Sequence, residues 1–497
     1  MKYKPKKDDL ICLFRIEPNG LSFNDAIGRV AAESSNGTWT TLSTLKPHIR
    51  KIRGRAFYRK GNLVKIAYPS ELFELGNMAQ VYSAIAGNIF GMKAVDNLRL
   101  LDIDFPDMMM KSFRGPQFGI EGVRKFMKVK GRPLTATVPK PKVGMTTREH
   151  AKVGYDAWMG GIDFLKDDEN LTDQKFNRFK ARAKACAKMR DKAEKKTGEI
   201  KDYFINVTAE SKEMLKRAKI AKNYGFKYVM CDIVTAGWSG LQTLREHCQD
   251  SKQAIHAHRA MHATFTRNPK HGISMLTLAK SARLVGVDNI HIGTVIGKLV
   301  GTKDEVLNLE REMEYHSMRE DFKEGILEED WKRIKSVFPC SSGGLHPGIL
   351  PEIMDMMGKN IMVQLGGGIH GHPDGTKSIT DLRTNLPRIR DGLGDIQPGQ
   401  IVKQSYGAAL FGEEGDVKDI DVRVEYRLPG STAIFEQQKK VTIALQSSPI
   451  RLLVNSVKEI TAQQELVFDV SVISNSNQDL KNVILEAQYP FGFTVTE

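Results

Sequence analysis

The stretch Gly160-Gly161-Ile162-Asp163-Phe164-Leu165-Lys166-Asp167-Asp168-Glu169-Asn170 sets an apolar run of strand length, residues 161–165, directly against a cluster of charge. If a strand runs through Leu165, period-two alternation points Lys166 and Asp168 the same way, and Glu169 turns inward as the strand ends. Seven more apolar runs share this form, at residues 134–138, 203–207, 228–233, 254–257, 289–292, 336–339 and 361–365. Helical patterns separate them. Eight such units in roughly 240 residues is the arithmetic of a (β/α)8 TIM barrel.

Chemistry in such a barrel gathers at the C-terminal ends of the strands. The residues there are Lys140-Pro141-Lys142, the Lys166 to Glu169 cluster, Asn206, Asp232, His258-Arg259, His291, Ser342-Gly343-Gly344 and Gly366-Gly367-Gly368. Carboxylates such as Asp168 and Glu169 suit a hard cation such as Mg²⁺. A lysine beside them is out of place in a metal site unless a desolvated amine of lowered pKa reacts with CO₂. The resulting carbamate turns a cation into a third oxygen ligand. Each residue has a plainer reading: a solvated charged loop for residues 166–169, surface charges for Lys140 and Lys142, a tight turn for residues 366–368. Their joint position at strand ends favours the site. His256, His262 and His271 read as satisfied core or surface groups and are left outside it.

Around the barrel, the fold class expected is α/β: an N-terminal α+β domain, the TIM barrel and a C-terminal β-sandwich-like segment. Residues 1–118 mix strand runs at 11–16 and 63–68 with a helical stretch at 78–86. The barrel domain takes 119–377. Residues 378–418 read as a linker with at best one short helix, because Pro387 interrupts a would-be helix and Pro398-Gly399 follows. Residues 419–497 tend to period two at 421–426, 440–445, 465–472 and 483–487, the pattern of an Ig-like, incomplete sandwich. Charge divides the chain the same way. Of a net +15, residues 401–497 hold 9 Lys+Arg against 13 Asp+Glu, and all 12 histidines precede them.

The basic body carries no stacking-aromatic or recognition-helix motif, so no nucleic-acid partner is expected. No apolar run approaches the roughly 18 residues of a membrane span. The N-terminus lacks the apolar core of a secretory signal, so the expected location is cytoplasmic. Five widely spaced cysteines, Cys12, Cys186, Cys231, Cys248 and Cys340, form no zinc or redox motif and are expected to be reduced.

Residues 160–170 resemble the activation-lysine motif of ribulose-1,5-bisphosphate carboxylase/oxygenase large subunits. Ile255-His256-Ala257-His258-Arg259-Ala260-Met261-His262-Ala263 and Ile290-His291-Ile292-Gly293-Thr294-Val295-Ile296-Gly297-Lys298-Leu299 are similar to the same family. So are Ala32-Glu33-Ser34-Ser35-Asn36-Gly37-Thr38-Trp39-Thr40 and Ala86-Gly87-Asn88-Ile89-Phe90-Gly91, and the resemblance covers about residues 3–377. Val138-Pro139-Lys140-Pro141-Lys142 and Gly371-His372-Pro373-Asp374-Gly375 are most similar to the archaeal form III branch.

The resemblance implies that Lys166 is carbamylated, binds Mg²⁺ with Asp168 and Glu169, and serves as general base for the C3 proton of the bisphosphate. By the same match, Lys140 handles protons with support from Lys142, His258 assists proton transfer, and Lys298 stabilises the incoming CO₂ carboxylate. Arg259, His291 and Ser342 would hold one phosphate. Backbone N–H groups at Gly343, Gly344, Gly366 and Gly367, with Thr38 and Trp39, would hold the other. Glu33 and Asn88 match residues that enter from a second subunit, which implies a homodimer or a multiple of dimers, with no small subunit. The implied activity is conversion of ribulose 1,5-bisphosphate with CO₂, or O₂, to 3-phosphoglycerate in AMP or nucleoside salvage. Two alternatives stay open: a relative that enolises another phosphosugar, and an inactive chimera with a surface-type β-domain. Residues 378–393, with Pro387, depart from the family's last barrel helix.

Overall fold

The computed structural model describes residues 3–38, 40, 42–296, 302–371, 393, 395–403, 417–426, 435–444, 450–456 and 468–474. The chain divides into two units, Met1–Gly394 and Asp395–Glu497.

The first unit opens with a five-stranded sheet in the order Gly272–Ile273, Val95–Asp104, Leu10–Pro18, Leu63–Tyr68, Arg55–Lys60. Leu10–Pro18 lies antiparallel to both neighbours. Its Cys12, Phe14 and Ile16 are buried in one cluster with Ile27 and Val30 of helix Phe23–Glu33 and Val81 and Ile85 of helix Met78–Ile85. Ser22 starts the first helix by accepting from the Asp25 amide, and Asn77 starts the second by accepting from Gln80. The edge strand Gly272–Ile273 comes from within the barrel sequence and pairs parallel with Val95–Asp104.

Eight parallel strands form the barrel: β1 (Leu134–Thr137), β2 (Phe164–Lys166), β3 (Asp202–Phe204), β4 (Tyr228–Asp232), β5 (Ala254–His258), β6 (Asn289–Gly293), β7 (Phe338–Ser342) and β8 (Met362–Leu365). Hydrogen-bonded order runs β3-β2-β1-β8-β7-β6-β5-β4. A parallel bridge between Asn206 and Met230 closes the ring. Helices α1 (Thr147–Met159), α2 (Phe179–Thr197), α3 (Ser211–Asn223), α4 (Ile233–Ser251), α5 (Met275–Val285), α6 (Lys303–Glu314) and α7 (Leu350–Met357) follow the first seven strands. Local chemistry sets their limits. Thr146 and Glu149 make a reciprocal capping box at the start of α1, and Gly198 ends α2 in the left-handed conformation.

Period two decides what fills the barrel. Leu134, Ala136, Phe164, Phe204, Tyr228, Met230, Ala254, Phe338, Cys340 and Met362 form one buried cluster, closed by Ile120, Val123 and Met127 of helix Gly119–Met127. Burying each larger side chain there contributes about 1.5–3 kcal/mol. Phe164 stacks on Phe204 with ring centroids 4.4 Å apart, and Phe204 stacks on His256 at 4.2 Å. The same alternation then presents Lys166, His258 and Ser342 at the mouth, above the packed layers.

Two of the expected strands differ in placement. The run at 336–339 is in fact the approach to β7, which extends through Ser342: the Ser336 hydroxyl is held by the Glu314 carbonyl, and pairing with β6 starts at Phe338. The run at 161–165 starts late, because Gly161 sits at φ +99° in the turn after α1. In the second unit, Val417–Tyr426 pairs antiparallel with Phe435–Ala444, and Ile450–Ser456 with Phe468–Ser474. No ladder joins the two pairs among the described residues. Val422, Val424, Tyr426, Phe435 and Val441 are exposed on one face of the first ladder. The candidate strand at 483–487 and residues 378–392 of the linker lie outside the described residues.

Candidate active site at the barrel mouth

Lys166 ends β2 and is fully buried. Its Nζ donates to the Asp167 carbonyl at 2.8 Å and lies 4.0 Å from Glu169 Oε2. Burial pushes its pKa below the usual amine range, against the pull of Glu169, Asp232 and Asp168. Asp168 accepts from Asn170 Nδ2 at 3.0 Å and from Lys140 Nζ at 3.1 Å. Burial alone would push this carboxyl up, but the Asn170 and Lys140 hydrogen bonds outweigh it and hold the carboxyl below its ordinary value. Lys140 therefore reaches from the end of β1 to the β2 cluster. A Cβ on Gly366, after β8, would lie 3.7 Å from Lys140 Cε, so the two are neighbours.

Asp167, between Lys166 and Asp168, points the other way. It is fully buried and accepts from Arg182 Nη2 of α2 at 3.1 Å, from the Tyr203 hydroxyl, and from the Asn206 amide at 2.8 Å. Asn206 Nδ2 in turn donates to the Glu169 carbonyl at 3.2 Å. This network fixes the backbone that carries Lys166, Asp168 and Glu169.

On the opposite wall, His258 Nδ1 pairs with Asp232 Oδ1 of β4 at 2.6 Å, while its Nε2 faces Glu169 Oε2 at 3.6 Å. Burial and the Lys166 charge lower the His258 pKa, and Asp232 pulls it back up. His291 of β6 contacts Ser342 Oγ through Nδ1 at 2.8 Å and His256 Nε2 through Nε2 at 3.0 Å. Burial, with His256 and His258 beside it, drives the His291 pKa well down. Arg259 lies against the end of β6: Gly293 takes φ +97°, and a Cβ there would come within 3.2 Å of Arg259 Nη2. Burial lowers that guanidinium to about 10. Gly343 and Gly344 turn the chain after Ser342 with φ of 126° and 79°. Gly366 and Gly367 begin the short helix Gly367–His370.

Not every expected residue joins this cluster. Lys142 is exposed beyond β1. Glu33 ends the first helix, Thr38 is half-buried and Asn88 begins a 3₁₀ turn. Among the described residues no hydrogen bond or ion pair links those three to the strand ends. Trp39 and Lys298 lie outside the described residues. Sequence reasoning placed Asp167 and Asp232 at strand ends without giving them a role, left His256 outside the site and did not single out Asn289. Their signal was parity, since period two turns His256 inward with His258 and Asn289 inward with His291, and Asp167 outward from Lys166.

Among the described residues, no three His, Cys, Asp or Glu side chains are grouped to hold a metal ion. The donor set is instead two carboxylates and a desolvated amine. It fits a hard cation once the amine carries a carboxylate of its own.

Comparison with known proteins gives the same outline. Residues 1–109 match the family model of the ribulose bisphosphate carboxylase large chain, N-terminal domain, and residues 119–386 match that of its catalytic domain. The ribulose bisphosphate carboxylase of Pyrococcus abyssi is 51% identical over 398 residues, 79% of this chain and 91% of the relative. That of Methanosarcina barkeri is 50% identical over 381 residues, 76% of this chain and 89% of the relative. Among solved structures, the sulfate complex of octameric Rubisco from Pyrococcus horikoshii superposes with TM-score 0.71 at 50% identity, covering 76% of this chain and 88% of that one. Dimeric archaeal Rubisco from Hyperthermus butylicus gives 0.73 at 48%, covering 77% and 91%.

Proposed function

Because the chain belongs to the large-chain family of ribulose bisphosphate carboxylases, we propose that it adds CO₂ to ribulose 1,5-bisphosphate and releases two molecules of 3-phosphoglycerate, with O₂ as a competing substrate. The observation that carries this reading is Lys166: a fully buried amine of lowered pKa beside Asp168 and Glu169. Uncharged, it is nucleophilic towards CO₂, and the carbamate completes the oxygen ligands that Asp168 and Glu169 begin. Mg²⁺ held there supplies Lewis-acid polarisation of the substrate's oxygens.

The chain's own residues account for the remaining work. A carboxylate carried on Lys166 would take the C3 proton to give the enediolate; C2 would then bond to CO₂, water would add at C3, and as the C2–C3 bond breaks the electron pair left on C2 would take a proton from Lys140. Lys140, held by Asp168, carries a proton to the substrate side of β1, and His258, anchored through Nδ1 on Asp232, offers Nε2 for proton transfer. Arg259, His291 and Ser342 bind one phosphate. Gly343, Gly344, Gly366 and Gly367, with Thr38 and Trp39, bind the other. Lys142 supports Lys140, and Lys298 steadies the new carboxylate. Glu33 and Asn88 reach the site of a second subunit, so the working form is a homodimer or a multiple of dimers without a small subunit. Form III resemblance supports a role in AMP or nucleoside salvage in the cytoplasm, and no described helix is long and apolar enough to cross a membrane.

The test is ribulose-bisphosphate-dependent fixation of labelled CO₂ by the full chain after preincubation with CO₂ and Mg²⁺. Label is expected in 3-phosphoglycerate. A folded, dimeric protein that fixes none would overturn the assignment.

A further inference from the structure

Behind the phosphate-binding end of the mouth, four side chains form a continuous line inside the barrel. Asn289 Nδ2 lies 2.6 Å from His256 Nδ1, His256 Nε2 lies 3.0 Å from His291 Nε2, and His291 Nδ1 lies 2.8 Å from Ser342 Oγ. Asn289, His256 and His291 are buried, and Ser342 is half-buried at the end of β7.

The direction of the line is set at its inner end. Asn289 Nδ2 faces two acceptors, His256 Nδ1 and the Met362 sulfur at 3.3 Å. Both amide hydrogens are then used. The opposite amide orientation would set a carbonyl oxygen against a thioether that has no hydrogen to give. His256 therefore accepts at Nδ1 and carries its hydrogen on Nε2, which makes His291 Nε2 an acceptor and leaves its hydrogen on Nδ1 for Ser342 Oγ. The imidazoles stay neutral, because burial drives both pKa values well below the ordinary histidine range. With its oxygen accepting from His291, the Ser342 hydroxyl keeps its own hydrogen for the mouth.

We propose that Asn289 and His256 are positioning residues that fix the tautomer of His291 and commit the Ser342 hydroxyl to donate into the site. This end of the site then selects a phosphate oxygen, a pure acceptor, over a group that must itself donate. The inference rests on the bisphosphate reading above and deepens it. Neither residue touches substrate; each acts through its neighbour. Reversing the line would turn a Ser342 lone pair towards the phosphate.

Two readouts test it. In the full chain with ¹⁵N-histidine, assigned through the single variants, NMR at neutral pH is expected to show His256 protonated on Nε2 and His291 on Nδ1. His291 protonated on Nε2, or on both nitrogens, overturns the proposal. In kinetics, His256→Phe keeps the ring stack on Phe204 and removes both hydrogen bonds. Its KM for ribulose 1,5-bisphosphate is expected to rise on the order of ten- to a hundredfold with little change in kcat, the value of a hydrogen bond to a charged group. His256→Gln, whose amide can still donate to His291, is expected to recover most of that loss. An unchanged KM in His256→Phe, or an equal rise in both variants, overturns the proposal. Failure of the wild type to fix CO₂ would count against the function, whereas the tautomers are read without turnover.

Discussion

The barrel and the C-terminal ladders use the same element, the β-strand with period-two alternation, and reach opposite ends. In β1 to β8 one parity enters a closed ring and the other packs against helices, so both faces are covered. In Val417–Tyr426 and Phe435–Ala444 one parity pairs Asp419 with Lys440 and Thr442, while the other leaves Val422, Val424 and Val441 exposed. Closure makes the difference. It removes strand edges and buries the interior, and burial there desolvates Lys166 and lowers its pKa.

Breaking the buried charge network should therefore have the largest effect. Arg182→Met leaves Asp167 buried without its cation, and chemical denaturation is expected to show a loss of about 3–5 kcal/mol. A loss below 1 kcal/mol would show that Tyr203 and Asn206 suffice to hold the loop.

A second test uses the junction between the N-terminal sheet and the barrel. There Lys280 Nζ meets Asp102 Oδ1 at 2.9 Å and Glu329 Oε2 at 3.1 Å, and all three are buried, with Glu312 close by. One cation cannot balance three carboxylates, and burial raises Glu329 to about 8. Since its folded pKa lies above its unfolded one, its stabilising contribution is full at low pH and is lost as pH rises through about 8. Glu329→Gln has no such dependence. Relative to wild type it should gain about 3–4 kcal/mol between pH 5 and pH 8. A parallel pH dependence in both proteins would refute the assignment.

The smallest effects compare one chemical change in both regions. Val363→Thr in β8 buries a hydroxyl and should cost about 1–3 kcal/mol. Val424→Thr on the exposed ladder face should stay within about 0.5 kcal/mol. Equal costs would mean that the ladder face is covered in solution.

Much of this contrast was legible in the residues. Apolar runs ending in polar clusters located all eight barrel strands, and the residues at their ends include most of the mouth. What escaped lay within strands. His256 read as a core or surface group and Asn289 only as the start of an apolar run, because nothing local says which parity faces the ring until neighbouring strands are placed; for the same reason Asp167, though named in the charged cluster, showed no sign of its separate network. β7 was misplaced by its short apolar content, Val337 and Phe338 before Pro339, since its limits come from pairing with β6 and β8. In the second unit, alternation showed strands, but Ile450–Ser456 lacks clean alternation through Leu452-Leu453-Val454, and which strands pair is not a local property.

The most direct test of the account is ¹³C NMR of the full chain with ¹³CO₂ and Mg²⁺. A carbamate resonance is expected in the wild type and absent in Lys166→Ala of the same fold. A wild type without that resonance, or a Lys166→Ala protein that keeps it, would contradict the claim that the buried lysine completes the site.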